Sequence, residues 1–257
     1  MSRIAGKLAL VTGASAGIGL ACARRFATDG AHLTLWARRV DRLEHEAELL
    51  RRAHGVTVST AQVDVRDRSA VEHAAQAMVA SGSVPDILFN NAGLAAGLDR
   101  LQEGDPEDWD RMIDTNVKGL LYVSRAILPH MIRLGRGHVV NLGSLAGHQT
   151  YPKGNVYSAT KYAVRALTEG MHLDLVGTPV RVSSVDPGLV DTEFSEVRFH
   201  GDVERAKAVY QGMRPLTAGD VAEVISYVVN LPEHINVLDL VLMPTAQRST
   251  QVVHRQA

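Results

Sequence analysis

One cysteine, Cys22, occurs in 257 residues, and no second cysteine stands near it in the C-x-x-C spacing of a redox or zinc pair. An internal disulfide is excluded, and a reducing compartment, the cytoplasm, is expected. Long apolar runs are missing too, so no membrane span is expected. The short apolar run in "MSRIAGKLALVTG" leads straight into glycines, which fits a first strand better than a signal peptide. Excess charge of either sign is absent: the formal net charge is −1, so no global field draws the chain to nucleic acid or to anionic lipid. The eleven histidines are scattered without H-x-x-x-H or carboxylate spacing, and no metal centre is expected. Internal repeats and low-complexity linkers are also lacking.

What remains is a chain 46% hydrophobic and 21% charged, the balance of an ordinary globular protein. Short β-rich runs alternate with longer helical patterns. Strands are expected at "KLALVTG", "HLTLWA", "VTVSTAQVD", "DILFNNAG", "GHVVNLGS", "VRVSSVDPG" and "VLDLVLMP". Helices are expected between them, among them one long helix over "PEDWDRMIDTNVKGLLYVSRAILPHMI" and a less regular insert over "EFSEVRFHGDVERAKAVYQGM". This alternation predicts an α/β fold: one doubly wound parallel sheet, covered by helices on both faces, with its ligand crevice at the carboxyl ends of the strands. No boundary interrupts the pattern, so a single domain over 1–257 is expected.

"TGASAGIG" places Gly13, Gly17 and Gly19 between the first strand and the first helix. A tight turn there, and close approach of backbone to a pyrophosphate on the helix N-terminus, both need residues without Cβ. After the first strand of an α/β pattern such a trio favours a dinucleotide over a bare turn. The end of the second strand, "LTLWARR", indicates which one. An acidic residue there suits the free ribose hydroxyl of NAD; Ala37 stands in its place, followed by Arg38 and Arg39. A guanidinium holds phosphate oxygens with two parallel hydrogen bonds, so NADP(H) is the expected cofactor.

"NVYSATKYAV" sets Tyr157 four residues before Lys161. On a helix these share one face, and an ammonium beside a phenol favours the phenolate. That is a way to build a proton donor and acceptor for neutral pH. Alone, such a pair is as readily a solvated helix face.

It is not alone. The loop G-x-x-x-G-x-G, "NNAG" at Asn90 to Gly93, a serine after the fifth strand and Y-x-x-x-K occur in one order, and with them the chain resembles the short-chain dehydrogenase/reductase family over essentially its whole length. "WDRMIDTNVKGL", "GNVYSATK", "PGLVDTEFSEVRFHGD" and "VHRQ" look like the family's NADP-dependent 3-hydroxy acid dehydrogenases, which act on serine, allo-threonine and related hydroxy acids; sulfoacetaldehyde reductases share much of the pattern.

The resemblance implies a Rossmann fold, a homotetramer and a small-molecule substrate. It implies Ser144, Tyr157, Lys161 and Asn116 as the catalytic set: Tyr157 as acid/base, Lys161 on the nicotinamide ribose and, with the cationic oxidised ring, lowering the tyrosine pKa, Ser144 holding the reacting oxygen, and Asn116 loosening its helix and holding a water that relays protons to the lysine. For the cofactor it implies Gly13, Ser15, Ala16, Gly17, Ile18 and Gly19 in the glycine loop, with Arg38 and Arg39 beyond it. Asp64 and Val65 would flank the adenine, Asn91, Ala92 and Gly93 the ribose, and Pro187, Gly188, Val190 and Thr192 the nicotinamide amide. The insert at about 190–214 would be a substrate lid. Two cations could read an anionic substrate: Arg198 in that insert, and Lys153, where the family usually has a small residue. A non-catalytic NADP-binding regulator and a nucleotide-sugar epimerase are the readings from other classes. The intact serine–tyrosine–lysine set argues against the first. The absence of a leftover stretch for a second, substrate domain argues against the other.

Overall fold

The computed structural model describes residues 2–256; positions 1 and 257 lie outside it. In chain order the main elements are β1 (Leu8–Thr12), α1 (Gly17–Thr28), β2 (His32–Ala37), α2 (Val40–His54), β3 (Val58–Gln62), α3 (Arg68–Ala80) and β4 (Ile87–Asn90). Then follow α4 (Pro106–Ile113), α5 (Leu120–Leu134), β5 (Gly137–Leu142), α6 (Asn155–Asp174) and β6 (Val180–Pro187). The last part holds β7 (Val190–Asp191), α7 (Phe194–Arg198), α8 (Val203–Ala208), β8 (Leu216–Thr217), α9 (Ala218–Val229) and β9 (Asp239–Leu242).

Seven strands form one parallel sheet in the order β3-β2-β1-β4-β5-β6-β9. The chain reverses its direction of travel between β1 and β4, and the crevice of a doubly wound sheet opens at such a point. Side chains alternate across the sheet with period two. In β1, Ala9 and Val11 join one core with α1, α2 and α9, while Leu10 joins the other with α3 and α5. In β2, Leu33 and Leu35 face the first core and Trp36 the second.

Local chemistry sets the helix ends. Asp67 caps α3 through the Ala70 N–H, and Asp105 caps α4, with Pro106 in its first turn. Thr217 and Asp220 form a capping box on α9. Gly55 and Gly135 close α2 and α5 in the left-handed conformation.

Two features depart from the expectations. The single long helix is broken: residues Asp114–Gly119 form a π-helical turn between α4 and α5. A Cβ on Gly119 would come 2.7 Å from Val65 Cγ2, so this backbone packs closely onto β3's exit and a larger residue would force Val65 aside. The insert is also framed by a small ribbon, β7 pairing with β8, that ties its two ends together.

Candidate active site

A cleft of about 550 Å³ runs along the carboxyl ends of β1, β2, β4, β5 and β6. The glycine loop makes one end. Gly13 and Gly17 have φ of +64° and +54°, which only glycine adopts without strain. A Cβ on Gly13 would lie 2.8 Å from the Asn91 side-chain nitrogen, and one on Gly19 would collide with it outright. Asn91 donates from that nitrogen to the carbonyls of Thr12 (2.8 Å) and Gly13 (3.3 Å), so its amide is spent in holding the turn. Gly19 does not reach the cleft wall; its part is to let Asn91 in.

No side chain caps α1. Its first amides are therefore open toward Ser15, Ala16, Gly17 and Ile18 on the cleft wall, an arrangement fit for a pyrophosphate. Asp64, Val65, Ala92 and Gly93 continue that wall, and Pro187, Gly188, Val190 and Thr192 close it opposite. Arg66 binds the Asp64 carboxylate and holds it below the usual carboxylate range. The two expected phosphate ligands differ. Arg39 is already engaged, its Nη1 2.8 Å from Glu193 and its Nε 3.2 Å from Ser15, and Arg42 shares the same carboxylate. Arg38 lines the cleft with a guanidinium that has no hydrogen-bond partner among the described residues.

At the other end α6 presents Tyr157 and Lys161 from one face, both buried, with Ser144 opposite in the turn after β5. The Ser144 hydroxyl accepts from the Ala146 N–H at 3.1 Å, which fixes its rotamer toward the cleft. The Lys161 ammonium donates to the Leu142 carbonyl at 2.8 Å and lies 6.0 Å from the centre of the Tyr157 ring. Burial pulls Lys161 down to about 8, against the pull of Asp186.

The lowering of the tyrosine pKa is expected from the lysine together with the oxidised nicotinamide; in the protein alone burial sets the direction. Burial, then Tyr151, pushes Tyr157 well above the ordinary phenol range; Ser144 and Arg198 oppose this, and Lys161 plays no resolved part. The reason is physical: desolvation of the phenolate outweighs a cation that is itself desolvated and turned to a carbonyl.

Asn116 sits in the π turn, behind the wall. Its Oδ1 accepts from the Leu94 N–H, and its Nδ2 donates to the Leu94 carbonyl, both at 2.8 Å, and to Thr160 at 3.0 Å. The loosened helix is there, but the amide holds the loop after β4 and makes no bond to Lys161.

Arg198, on α7, reaches over the site. It donates to the Gly97 carbonyl (3.2 Å) and to the Tyr151 hydroxyl (2.8 Å), and its guanidinium carbon lies 5.7 Å from the centre of the Tyr157 ring. Its Nη1 has no hydrogen-bond partner among the described residues. Lys153 is exposed, at φ +67°; it does not line the main cleft but borders a side cavity of about 20 Å³ that Tyr157 and Arg198 also line, together with Asp99, Asp105 and Asp108.

Sequence reasoning missed several wall residues. Phe194 packs edge-on against Tyr157 at 5.6 Å between ring centres, and Tyr151 joins it. Gln247 and Thr250 come from the C-terminal segment. That segment also holds the insert down: Arg255 donates to the Val209 carbonyl at 2.9 Å and Gln256 to that of Gly212 at 2.7 Å. No periodic pattern marks such a strap.

A sheet of this order, with a glycine loop at one end of its crevice and serine, tyrosine and lysine at the other, defines a dinucleotide-dependent oxidoreductase fold. The chain belongs to the short chain dehydrogenase family, whose profile matches residues 7–228. It is 45% identical over 250 residues to the NADP-dependent 3-hydroxy acid dehydrogenase YdfG of Salmonella typhi, covering 96% of this chain and 99% of that one. It is 46% identical over 241 residues to sulfoacetaldehyde reductase 2 of Chromohalobacter salexigens, covering 93% and 95%. Its structure superposes on a closed form of serine dehydrogenase complexed with NADP+ with a TM-score of 0.90, at 45% identity, over 97% of this chain and all of the other. Among the described residues no helix is long and apolar enough to cross a membrane.

Proposed function

We propose that this chain is an NADP-dependent oxidoreductase that moves hydride between the nicotinamide and the alcohol or carbonyl carbon of a small 3-hydroxy acid of the serine, allo-threonine or 3-hydroxybutyrate type. One observation carries the reading: Arg198 stands over Tyr157 in the cleft with one donor nitrogen uncommitted. The names of the relatives, NADP-dependent 3-hydroxy acid dehydrogenase and serine dehydrogenase, support it.

The bound nicotinamide supplies the hydride acceptor or donor. The protein supplies the rest. Ser144 donates to the reacting oxygen and orients it. Tyr157 takes the hydroxyl proton during oxidation and returns it during reduction. Lys161 bonds the ribose and keeps positive charge by the phenol. Asn116 holds the π turn and the loop above the lysine. Arg38 grips the 2′-phosphate, and the amides of α1 take the pyrophosphate. The insert 190–214 serves as the lid, latched through Glu193 near its start and, in its middle, through Arg198 on Gly97 and His200 on Asp108.

An arginine fork suits a carboxylate or a sulfonate equally, and the reductase relative keeps sulfoacetaldehyde as a second reading. A panel of small hydroxy acids, sulfonated and uncharged aldehydes, followed by NADPH absorbance, separates the two. Arg198→Ala raises KM for serine or 3-hydroxybutyrate by about 10-fold, the worth of one charge-assisted hydrogen bond. The KM for an uncharged alcohol of similar size moves far less; equal effects on both would show that Arg198 does not read the substrate.

The protein works as a cytoplasmic homotetramer in this reading. Tyr162 and Leu173 on α6 are 41% and 70% exposed, and Leu121 on α5 and Ile113 on α4 are also uncovered, so the central helices carry apolar surface that one sheet leaves bare. Light scattering at micromolar concentration gives four chains; a monomeric mass rules the assembly out.

A further inference from the structure

Three titratable side chains converge behind the catalytic wall, and none of them lines the cleft. Asp186, near the end of β6, is 1% exposed. Its Oδ1 accepts from the Ser184 hydroxyl at 2.5 Å, and its Oδ2 lies 2.7 Å from His148 Nε2. Asp239, opening β9, stands 3.6 Å from the same His148 nitrogen, with Arg165 of α6 3.5 Å behind it. The backbone of Gly143 rests on the Asp186 carboxylate so closely that a Cβ would be driven into it. Gly143 lies between Leu142, whose carbonyl receives Lys161, and Ser144. His148 ends the turn that Ser144 opens, and its own carbonyl accepts from the Tyr162 hydroxyl at 2.7 Å. The Asp186–His148 pair therefore grips both ends of the segment that carries the serine and the lysine's acceptor.

We propose that Asp186, tied to His148 and Ser184, is a positioning residue that fixes the segment Leu142–His148 and serves as the counter-charge of the buried Lys161 ammonium. The proposal rests on the reading of Ser144 and Lys161 given above. Burial alone draws the Lys161 ammonium toward the neutral amine, and Asp186 is the group that opposes this. Burial, then the neighbouring Asp239 carboxyl, pushes the Asp186 carboxyl up to about 6, while Ser184 and His148 pull it back. The charged and titratable groups around it are His148 from the turn after β5, Asp239 from β9, and Lys161, Tyr157 and, beyond Asp239, Arg165 from α6. Above its ionisation and below that of the lysine, carboxylate and ammonium coexist, and the site holds its working charge state.

The full chain tests this directly. It has five lysines, so the Lys161 side-chain carbon can be followed by NMR after 13C-lysine labelling, with Lys161→Arg as the assignment control. In Asp186→Asn the Lys161 titration falls by about one pH unit, the usual effect of losing a near opposite charge, and the alkaline limb of the reduction rate falls with it. In the parent, the same signal carries a step near pH 6 as Asp186 ionises; Asp239→Asn moves that step to lower pH. Asp239 is partly exposed on the last strand, so this variant decides the matter if Asp186→Asn does not fold. A Lys161 titration unmoved by Asp186→Asn, or a step unmoved by Asp239→Asn, overturns the proposal. Loss of activity in EDTA that zinc or magnesium restores also overturns it, by making the three residues a cation site. If the lysine titration moves and the rate profile does not, the charge pairing stands and the catalytic reading of Lys161 is what fails.

Discussion

Tyr157→Phe is expected to lose turnover by on the order of 10³-fold, within the range that a positioned acid/base contributes, while NADPH still binds with near-parental affinity. The phenol is the proton carrier next to the place where Ser144 and Arg198 converge, and it is buried against Phe194 in a wall that the phenyl ring fills equally well. Removing the hydroxyl therefore leaves the packing and the glycine loop untouched and takes away only the proton. Direction matters for the control. Burial holds the phenol protonated well above neutral pH. The ground-state protein is thus ready to donate in reduction, whereas oxidation needs the proton removed first. The parent oxidation rate accordingly rises with pH through neutrality, and the reduction rate does not rise with it. Stopped-flow turnover together with NADPH fluorescence titration of the Phe variant checks both halves; a variant that oxidises substrate near the parental rate removes Tyr157 from the chemistry.

The sheet was legible because its signals are local. Period-two burial in β1 and β2 follows from alternating side chains, and the turn at Gly13 to Gly19 follows from φ values and close approaches that other residues cannot meet. The tyrosine–lysine spacing was equally legible, since a helix fixes it. What failed to show depends on contacts between distant segments. The π turn at Asn116 exists because Gly119 lets the helix settle on Val65, and one residue of helical slippage leaves the apolar period almost unchanged. The tyrosine–lysine pair suggested a lowered phenol pKa, but spacing carries no information about burial, and in the protein alone burial pushes the phenol the other way. Asp186 stood only as a letter of the strand "VRVSSVDPG"; its partners His148 and Asp239 come from other strands' ends and share no motif with it. Lys153, expected as a substrate cation, stands off the main cleft on a left-handed residue, in a side cavity that Tyr157 and Arg198 also border.

The second large effect concerns the cofactor. Ala37→Asp combined with Arg38→Ala is expected to reverse the preference between NADP and NAD, with NADP kcat/KM falling by about 10²-fold, the worth of two charge-assisted hydrogen bonds of about 1.5 kcal/mol each. The two adjacent arginines are not equivalent. Arg39 already neutralises Glu193 together with Arg42 and reaches back to Ser15, so its guanidinium serves to join α2, the glycine loop and the lid. Arg38 has no such partner among the described residues and faces the cleft beside Ala37, which is 4% exposed and ends β2. A carboxylate at position 37 would meet the ribose edge, accept from a free 2′-hydroxyl and repel a 2′-phosphate. Arg38→Ala alone thus takes most of the NADP affinity, and Arg39→Ala alone loosens the lid and lowers affinity for both cofactors alike. Comparing kcat/KM for NADP and NAD across the parent, both single arginine variants and the paired change tests the division. Equal values for the two cofactors in the parent, or a stronger phosphate discrimination by Arg39 than by Arg38, would contradict it.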